Sequence, residues 1–328
     1  MKTSTRSYSN NHRPPATSPP SSRSEWLLPL LLLLATGTLL GLSTNLAKLA
    51  GETKLSPLSF LTWSVVGSAA VLFLVNTLRK QRAAINWQTV EYFFVSGLVG
   101  VALPNLIFFA AVSRVGAGFV SLVIAFPPLF TYLGALALKM ERWQARRAVG
   151  VVLALGGAAL LAVYKFTSPD ANAFWIIAAL CGPIVLAIGN IYRTARWPEG
   201  ASPAALAPGM LAAAGLLLLL TGAVASGAAE STRVFSLSVP TDTLRPTLLI
   251  LAQVATFSLQ FWLLFLLQKE GGPVYLSLLG SVGAVVGVPV AVLLLGEDWP
   301  RGLLLGGLLI AAGIAFLSWG GANTSDDF

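Results

Sequence analysis

Apolar residues run along this chain in long blocks separated by short polar or glycine-bearing connections, and the blocks set the first expectation. Ten of them fall at approximately 26–48, 58–78, 88–112, 117–138, 147–164, 172–192, 204–226, 246–268, 273–295 and 302–320. Most approach the ~20 residues that a helix needs to cross about 30 Å of hydrocarbon. The blocks are rich in Leu, Ala and Gly and show no alternation with period two, so they predict helices and exclude the strands of a barrel. The expected fold is therefore an all-α integral membrane protein of ten transmembrane helices. Connections such as 113–116 and 269–272 are short, which makes consecutive helices antiparallel neighbours. Residues 1–24 form a polar tail rich in Ser, Thr, Pro and Arg that is expected to be disordered. Residues 321–328 form a second, short tail, and 227–245 reads as one long irregular loop.

Composition agrees with lipid as the solvent. Hydrophobic residues make up 55% of the 328 positions and charged residues 10%, against about 25% charged in a soluble domain. The net charge of +8 comes from Lys and Arg lying mostly between the blocks, which makes them topology signals and not a nucleic-acid face. With both termini assigned to the cytoplasm, fourteen of the 21 basic residues fall inside and seven outside. That asymmetry favours this orientation, with the plasma membrane as the expected location. The Arg-bearing tail has some transit-peptide character, but its prolines and lack of amphipathic period argue against one. The first block runs to about Ala47, longer than a signal-peptide core, and is expected to be retained. Cys181 is the only cysteine and His12, in the tail, the only histidine. Neither an internal disulfide, a His/Cys metal centre nor a His-based catalytic site is expected within the membrane, and no cofactor is implied.

The chain also repeats itself. Arg114-Val-Gly-Ala-Gly resembles Lys269-Glu-Gly-Gly-Pro, and a shift of 156 superposes Glu141 on Glu297, Trp143 on Trp299, Gly150 on Gly306 and Gly157 on Gly313. The repeats are expected at 25–165 and 170–320. Five spans is an odd number, so the second repeat enters the membrane inverted, the plan of many secondary transporters.

At these residues the chain resembles the EamA-type members of the drug/metabolite transporter superfamily. The resemblance covers nearly all of 26–320 and is most specific at Phe126-Pro127-Pro128-Leu129-Phe130-Thr131, Gly134, Glu141, Gly150 and Gly156-Gly157. Gly41-Leu-Ser-Thr-Asn45-Leu-Ala-Lys48 resembles the family's first span, and Gly296-Glu297 with Gly313 its second repeat. Ala284 stands where the second repeat's proline is expected, with Pro289 the alternative kink. The resemblance implies a transporter with amino acids or related polar metabolites as cargo.

Polar side chains within the blocks are the candidate site, since burying them in a bilayer costs free energy unless they face a cavity or another helix. Thr38, Gly41, Asn45 and Lys48 share one helical face, as do Gln253, Thr256 and Gln260. Asn105 sits beside Pro104, whose missing N–H frees a carbonyl. Tyr275, Ser277, Ser281 and Asn190 add further polar groups. A central cavity is one reading of this set; interhelical hydrogen bonding is the other, at about 1 kcal/mol or less per bond. Lys48 and Arg114, at expected outer ends, either capture an anion or snorkel to headgroups. Pro104 and Pro128 are candidate hinges. Glu141 and Glu297 are expected to pair with nearby bases or to cap the next helix. Gly302-x-x-x-Gly306 and Gly283-x-x-x-Gly287 allow close helix packing, within one chain or in a homodimer.

No Asp or Glu lies deep within a block, which favours transport without proton or sodium coupling. The expected function is a secondary transporter exporting a small organic metabolite, such as an amino acid, by alternating access. Its expected partners are that solute and the lipid bilayer, without nucleic acid. The alternative is a membrane-embedded enzyme acting on a lipid or prenyl substrate, which needs carboxylate or His clusters that the sequence lacks.

Overall fold

A computed structural model describes residues 23–53, 55–80, 85–137, 143–166, 172–227, 237, 244–298 and 302–319. All regular structure among them is helical: α1 (Arg23–Glu52), α2 (Pro57–Leu78), α3 (Trp87–Gly97), α4 (Leu103–Val115), α5 (Ala117–Val123), α6 (Pro127–Ala137), α7 (Ala145–Phe166), α8 (Ala173–Ala195), α9 (Pro203–Gly227), α10 (Leu244–Pro289) and α11 (Leu303–Trp319). Two π-helical stretches, Leu98–Ala102 and Val290–Leu294, join α3 to α4 and extend α10. Among the described residues, eight stretches are long and apolar enough to cross a membrane. Two further apolar helices, Leu278–Leu294 and Leu304–Gly313, are shorter. The protein is thus a multi-pass membrane protein. Leu74, Leu78, Val224, Leu293 and Leu304 stand exposed on its outside, while Phe60, Leu61, Phe257 and Phe265 fill its interior.

Local chemistry sets several helix starts. Ser56 accepts the Ser59 N–H at 3.0 Å and is followed by Pro57, whose missing N–H costs nothing in a first turn. Asn86 and Asn172 accept the N–H groups of Thr89 and Trp175 in the same way, at 2.8 and 3.3 Å.

Proline also sets the interruptions. Pro104 cannot donate to the turn before it, and that turn widens into the π-helical stretch Leu98–Ala102. The Asn105 side chain then donates to Val101 O at 2.8 Å. Pro127 and Pro128 withhold two donors in succession, so the block 117–138 breaks between α5 and α6. Before the break, Ala125 and Phe126 donate to Leu122 O and Val123 O at 3.1 Å each, tightening the last turn.

Helix α10 comprises 46 residues and takes in 269–272, where the sequence predicts a connection between two apolar stretches, Leu244–Glu270 and Leu278–Leu294. A straight helix of that length would span about 69 Å, more than twice the hydrocarbon thickness. It is not straight. Gln253 donates to Ser43 Oγ, while Asn45, two residues along α1, donates to Gly287 O at 3.0 Å. Gln253 and Gly287 would lie about 51 Å apart on a straight rod, so the chain reverses between them. Both arms of α10 lie along α1. The second arm comes so close that a Cβ on Gly41 would stand 2.5 Å from Gly283 O and 2.9 Å from Gly287 N.

The other main contacts are α2 with α9, α7 with α11, α8 with α4 and α6, α2 and α5 with α10, and α3 with α9. A Cβ on Gly157 would meet Gly306 O at 2.7 Å, and one on Gly313 would meet Gly150 O at 2.6 Å. The glycine stripes at Gly283/Gly287 and Gly306 therefore make their close contacts inside the chain.

Candidate functional site

Both proline interruptions face one cavity. It has a volume of about 60 Å³, and its wall is drawn from α1, the π-turn before α4, α4, the α5–α6 break, α8 and both arms of α10. Most of the wall is apolar, including Phe108, Ile124, Leu186, Phe261, Leu264 and Leu279. Its polar groups are Asn105, Asn190, Arg193 and Gln260. Irregular backbone at membrane depth is tolerated where it is buried in protein or lines a cavity, and Gly100, Ile124 and Pro127 meet that condition.

Gln260 is 4% exposed, and its Oε1 has no hydrogen-bond partner among the described residues. Arg193 is 3% exposed. One guanidinium N–H donates to Asn190 Oδ1 at 2.6 Å, and among the described residues its Nε has no partner and no carboxylate lies within ion-pair distance. The sequence presents Arg193 as one more flanking base at the end of a span. Its separation from Asn190 by three residues, one helical turn, is the signal that it shares that residue's inward face.

Not all polar residues of the two stripes reach the cavity. Asn45 is buried and donates to Gly41 O and Gly287 O, at 2.9 and 3.0 Å, tying α1 to the second arm of α10. Gln253 is fully buried and joins the first arm to Ser43. Thr256 donates to Ala252 O of its own helix at 2.8 Å. None of the three lines the cavity. Pro104 and Pro128 flank the π-turn and the α5–α6 break respectively. Glu141 and the side chains of Tyr275 and Ser277 lie outside the described residues.

A second polar cluster lies at the C-terminal end of α1. Lys48 Nζ sits 2.8 Å from Glu297 Oε1. The same carboxylate accepts the N–H of Ala117 at 2.7 Å and that of Gly118 at 2.9 Å, capping α5. Gly116, with φ +91°, turns the chain so that these two donors point at the carboxylate. Burial pushes the Glu297 carboxyl up, but Lys48 and the two backbone donors outweigh it and hold the group below its ordinary value of 4.5. Another cluster joins α3 to α8: Glu91 accepts from Tyr192 Oη at 3.2 Å and lies 3.6 Å from Arg196. Tyr92 stacks on Tyr192 beside it, with ring centroids 6.2 Å apart.

Comparison with known proteins fits this architecture. Residues 27–163 match the EamA-like transporter family. Over that stretch the chain is similar to EamA-type members of the drug/metabolite transporter superfamily. The chain is 31% identical over 93 residues to a WAT1-related protein of Arabidopsis thaliana, a match covering 26% of each chain. A second WAT1-related protein of that plant is 24% identical over 145 residues, 42% of this chain and 40% of the relative. The aligned parts thus span less than half the length of either relative. One crystal structure covers 90% of this chain and 98% of its own, with TM-score 0.59 and 18% identity, a likeness of fold.

Proposed function

We propose that the protein is an EamA-type secondary transporter that moves a small organic metabolite through the central cavity by alternating access. The observation that carries the reading is the junction of two interrupted helices at a cavity holding buried polar groups. Broken helices at a midplane site are how transporters expose backbone and side chains to solute without exposing them to lipid.

The packing pattern supports ten spans in two inverted repeats. Taking the arms of α10 as spans eight and nine, exchanging each span with the one five places away maps the main contacts onto one another. The contacts of α1 with the α10 arms become those of α8 with α4 and α6, and α2 with α10 becomes α9 with α3. The pairs α2 with α9 and α7 with α11 map onto themselves. In this arrangement the Lys48–Glu297–α5 cluster and the Glu91–Tyr192–Arg196 cluster each tie a first-repeat element to a second-repeat element. Rocking of the repeats would break one tie at a time. The distribution of basic residues supports both termini facing the cytoplasm, and the plasma membrane is the proposed location. An amino acid or related metabolite is the proposed cargo.

Counterflow in proteoliposomes tests the reading: vesicles preloaded with amino acids, nucleosides or sugars are offered the labelled counterpart. The expected result is accelerated exchange for at least one amino acid or related metabolite. Correctly folded protein that accelerates exchange of no solute would overturn it.

A further inference from the structure

Arg193 is the feature for which the transport reading so far has no use. Arg193 is buried, lines the cavity, and meets no described carboxylate. A buried charge without a counter-ion is strongly unfavourable, so something must compensate it when the cavity is in use. Glu91, an acid on the neighbouring α3, is already engaged with Tyr192 and Arg196. The contact with Asn190 fixes part of the guanidinium fork and leaves Nε without a partner. Gln260 lines the same cavity, and its Oε1 is an acceptor without a donor among the described residues.

We infer that the cavity binds a small solute by its carboxylate, held on the Arg193 guanidinium, with the solute's apolar body against Phe108, Phe261 and Leu264. This rests on the transporter reading above and names the chemical class of its cargo. The guanidinium fork matches the two oxygens of a carboxylate. The cavity offers one cationic side chain and a largely apolar wall. That balance suits one negative charge on an apolar solute better than a phosphate dianion. Gln260 Oε1 supplies the acceptor for a donor on the same solute, such as the ammonium of an amino acid. A cationic amine without a carboxylate would face Arg193 with no carboxylate on the wall to receive it, and is excluded.

The test uses the whole chain, purified in detergent and also reconstituted in proteoliposomes. Leucine, phenylalanine, 4-methylpentanoate and phenylacetate are titrated alongside 3-methylbutylamine, phenethylamine and inorganic phosphate. The midpoint of thermal unfolding reports binding. At least one carboxylate is expected to raise it, while the amines and phosphate leave it unmoved. Arg193→Gln is expected to weaken carboxylate binding about tenfold or more, with a smaller loss for Arg193→Lys, which keeps the charge but not the fork. Without solute, Arg193→Gln should unfold at or above the wild-type temperature, because it removes an uncompensated buried charge. A lower midpoint would mean that the chain itself neutralises the guanidinium, and would overturn the inference. So would amine or phosphate binding that matches the carboxylates, carboxylate binding undiminished in Arg193→Gln, or no response to any carboxylate. Counterflow separates the two readings. Arg193-dependent carboxylate binding without exchange of any solute keeps the site and removes the transport reading. Exchange confined to amines or neutral solutes keeps transport and removes the site.

Discussion

The Lys48 ammonium lies 2.8 Å from the Glu297 carboxylate, although 249 positions separate the two residues in sequence. That carboxylate performs two tasks: it neutralises Lys48, and it caps α5 through Ala117 and Gly118. Removing either partner therefore has unequal consequences. Lys48→Met leaves the cap in place, whereas Glu297→Gln removes the charge that both Lys48 and the α5 N-terminus face. Hydrogen bonds to charged groups contribute roughly 1.5–3 kcal/mol. Both variants are expected to unfold at lower temperature in detergent, Glu297→Gln by the larger margin. Equal destabilisation, or a larger effect at Lys48, would refute the division of labour.

The same carboxylate sets a pH dependence. Its folded value is held below the ordinary 4.5, so the ionised form binds its partners better than an unfolded carboxylate would. The contribution to stability is thus fully present above the ordinary value and lost as pH falls through the folded one. Between pH 7 and about 5 this group is expected to leave the unfolding midpoint flat. Below about 4.5 the wild type should lose stability that Glu297→Gln never had, so the two midpoints converge. A difference between them that stays constant down to pH 3 would exclude Glu297 as the titrating group.

Much of this architecture was legible in the chain because lipid leaves so few choices. A block of twenty apolar residues without alternation has to be helical, and prolines at 104 and 127–128 have to interrupt the ladder somewhere near them. The prolines mark the interruptions but not their form. Pro104 produces a π-turn rather than a kink, and the pair Pro127-Pro128 produces a full break. The candidate site was legible only in part, because polarity at helical spacing says that a side chain needs a partner, not which partner it finds. Asn45 and Gln253 find theirs on neighbouring helices, Thr256 on its own helix, and Gln260 faces the cavity. Arg193 was hidden by its position: an arginine at a span end is normally a topology marker, and only the fold brings it beside Gly100 and Gln260.

Asn45 provides a test of how the reversed α10 is held. Its amide donates to Gly41 O within α1 and to Gly287 O across the interface. Asn45→Leu removes both bonds and puts a methyl group where an N–H sat 3.0 Å from Gly287 O, too close for carbon against oxygen, in a contact where a Cβ on Gly41 would stand 2.5 Å from Gly283 O. Asn45→Ala removes the bonds without adding bulk. The alanine variant is expected to cost about 1–3 kcal/mol of stability, and the leucine variant more, read as successive falls in the unfolding midpoint. An alanine variant as stable as the wild type would show that the bond to Gly287 contributes little to holding the second arm.

Gln260 separates a cavity residue from a packing residue. If it only bridged helices, its replacement by leucine would destabilise the protein as Asn45→Ala does. Instead it lines the cavity, and among the described residues it makes no bond across helices of the kind Asn45 makes to Gly287; its Oε1 is buried without a partner there, a state that itself costs about 1–3 kcal/mol. Gln260→Leu is therefore expected to express normally and to unfold at or above the wild-type temperature. Counterflow of the transported solute should fall about tenfold, the equivalent of one hydrogen bond of about 1.4 kcal/mol. The loss should appear chiefly as a raised half-saturation concentration, since the acceptor acts on bound solute. Unimpaired exchange by a well-folded Gln260→Leu would take this side chain out of the solute path and leave Arg193, Asn105 and Asn190 as the polar wall.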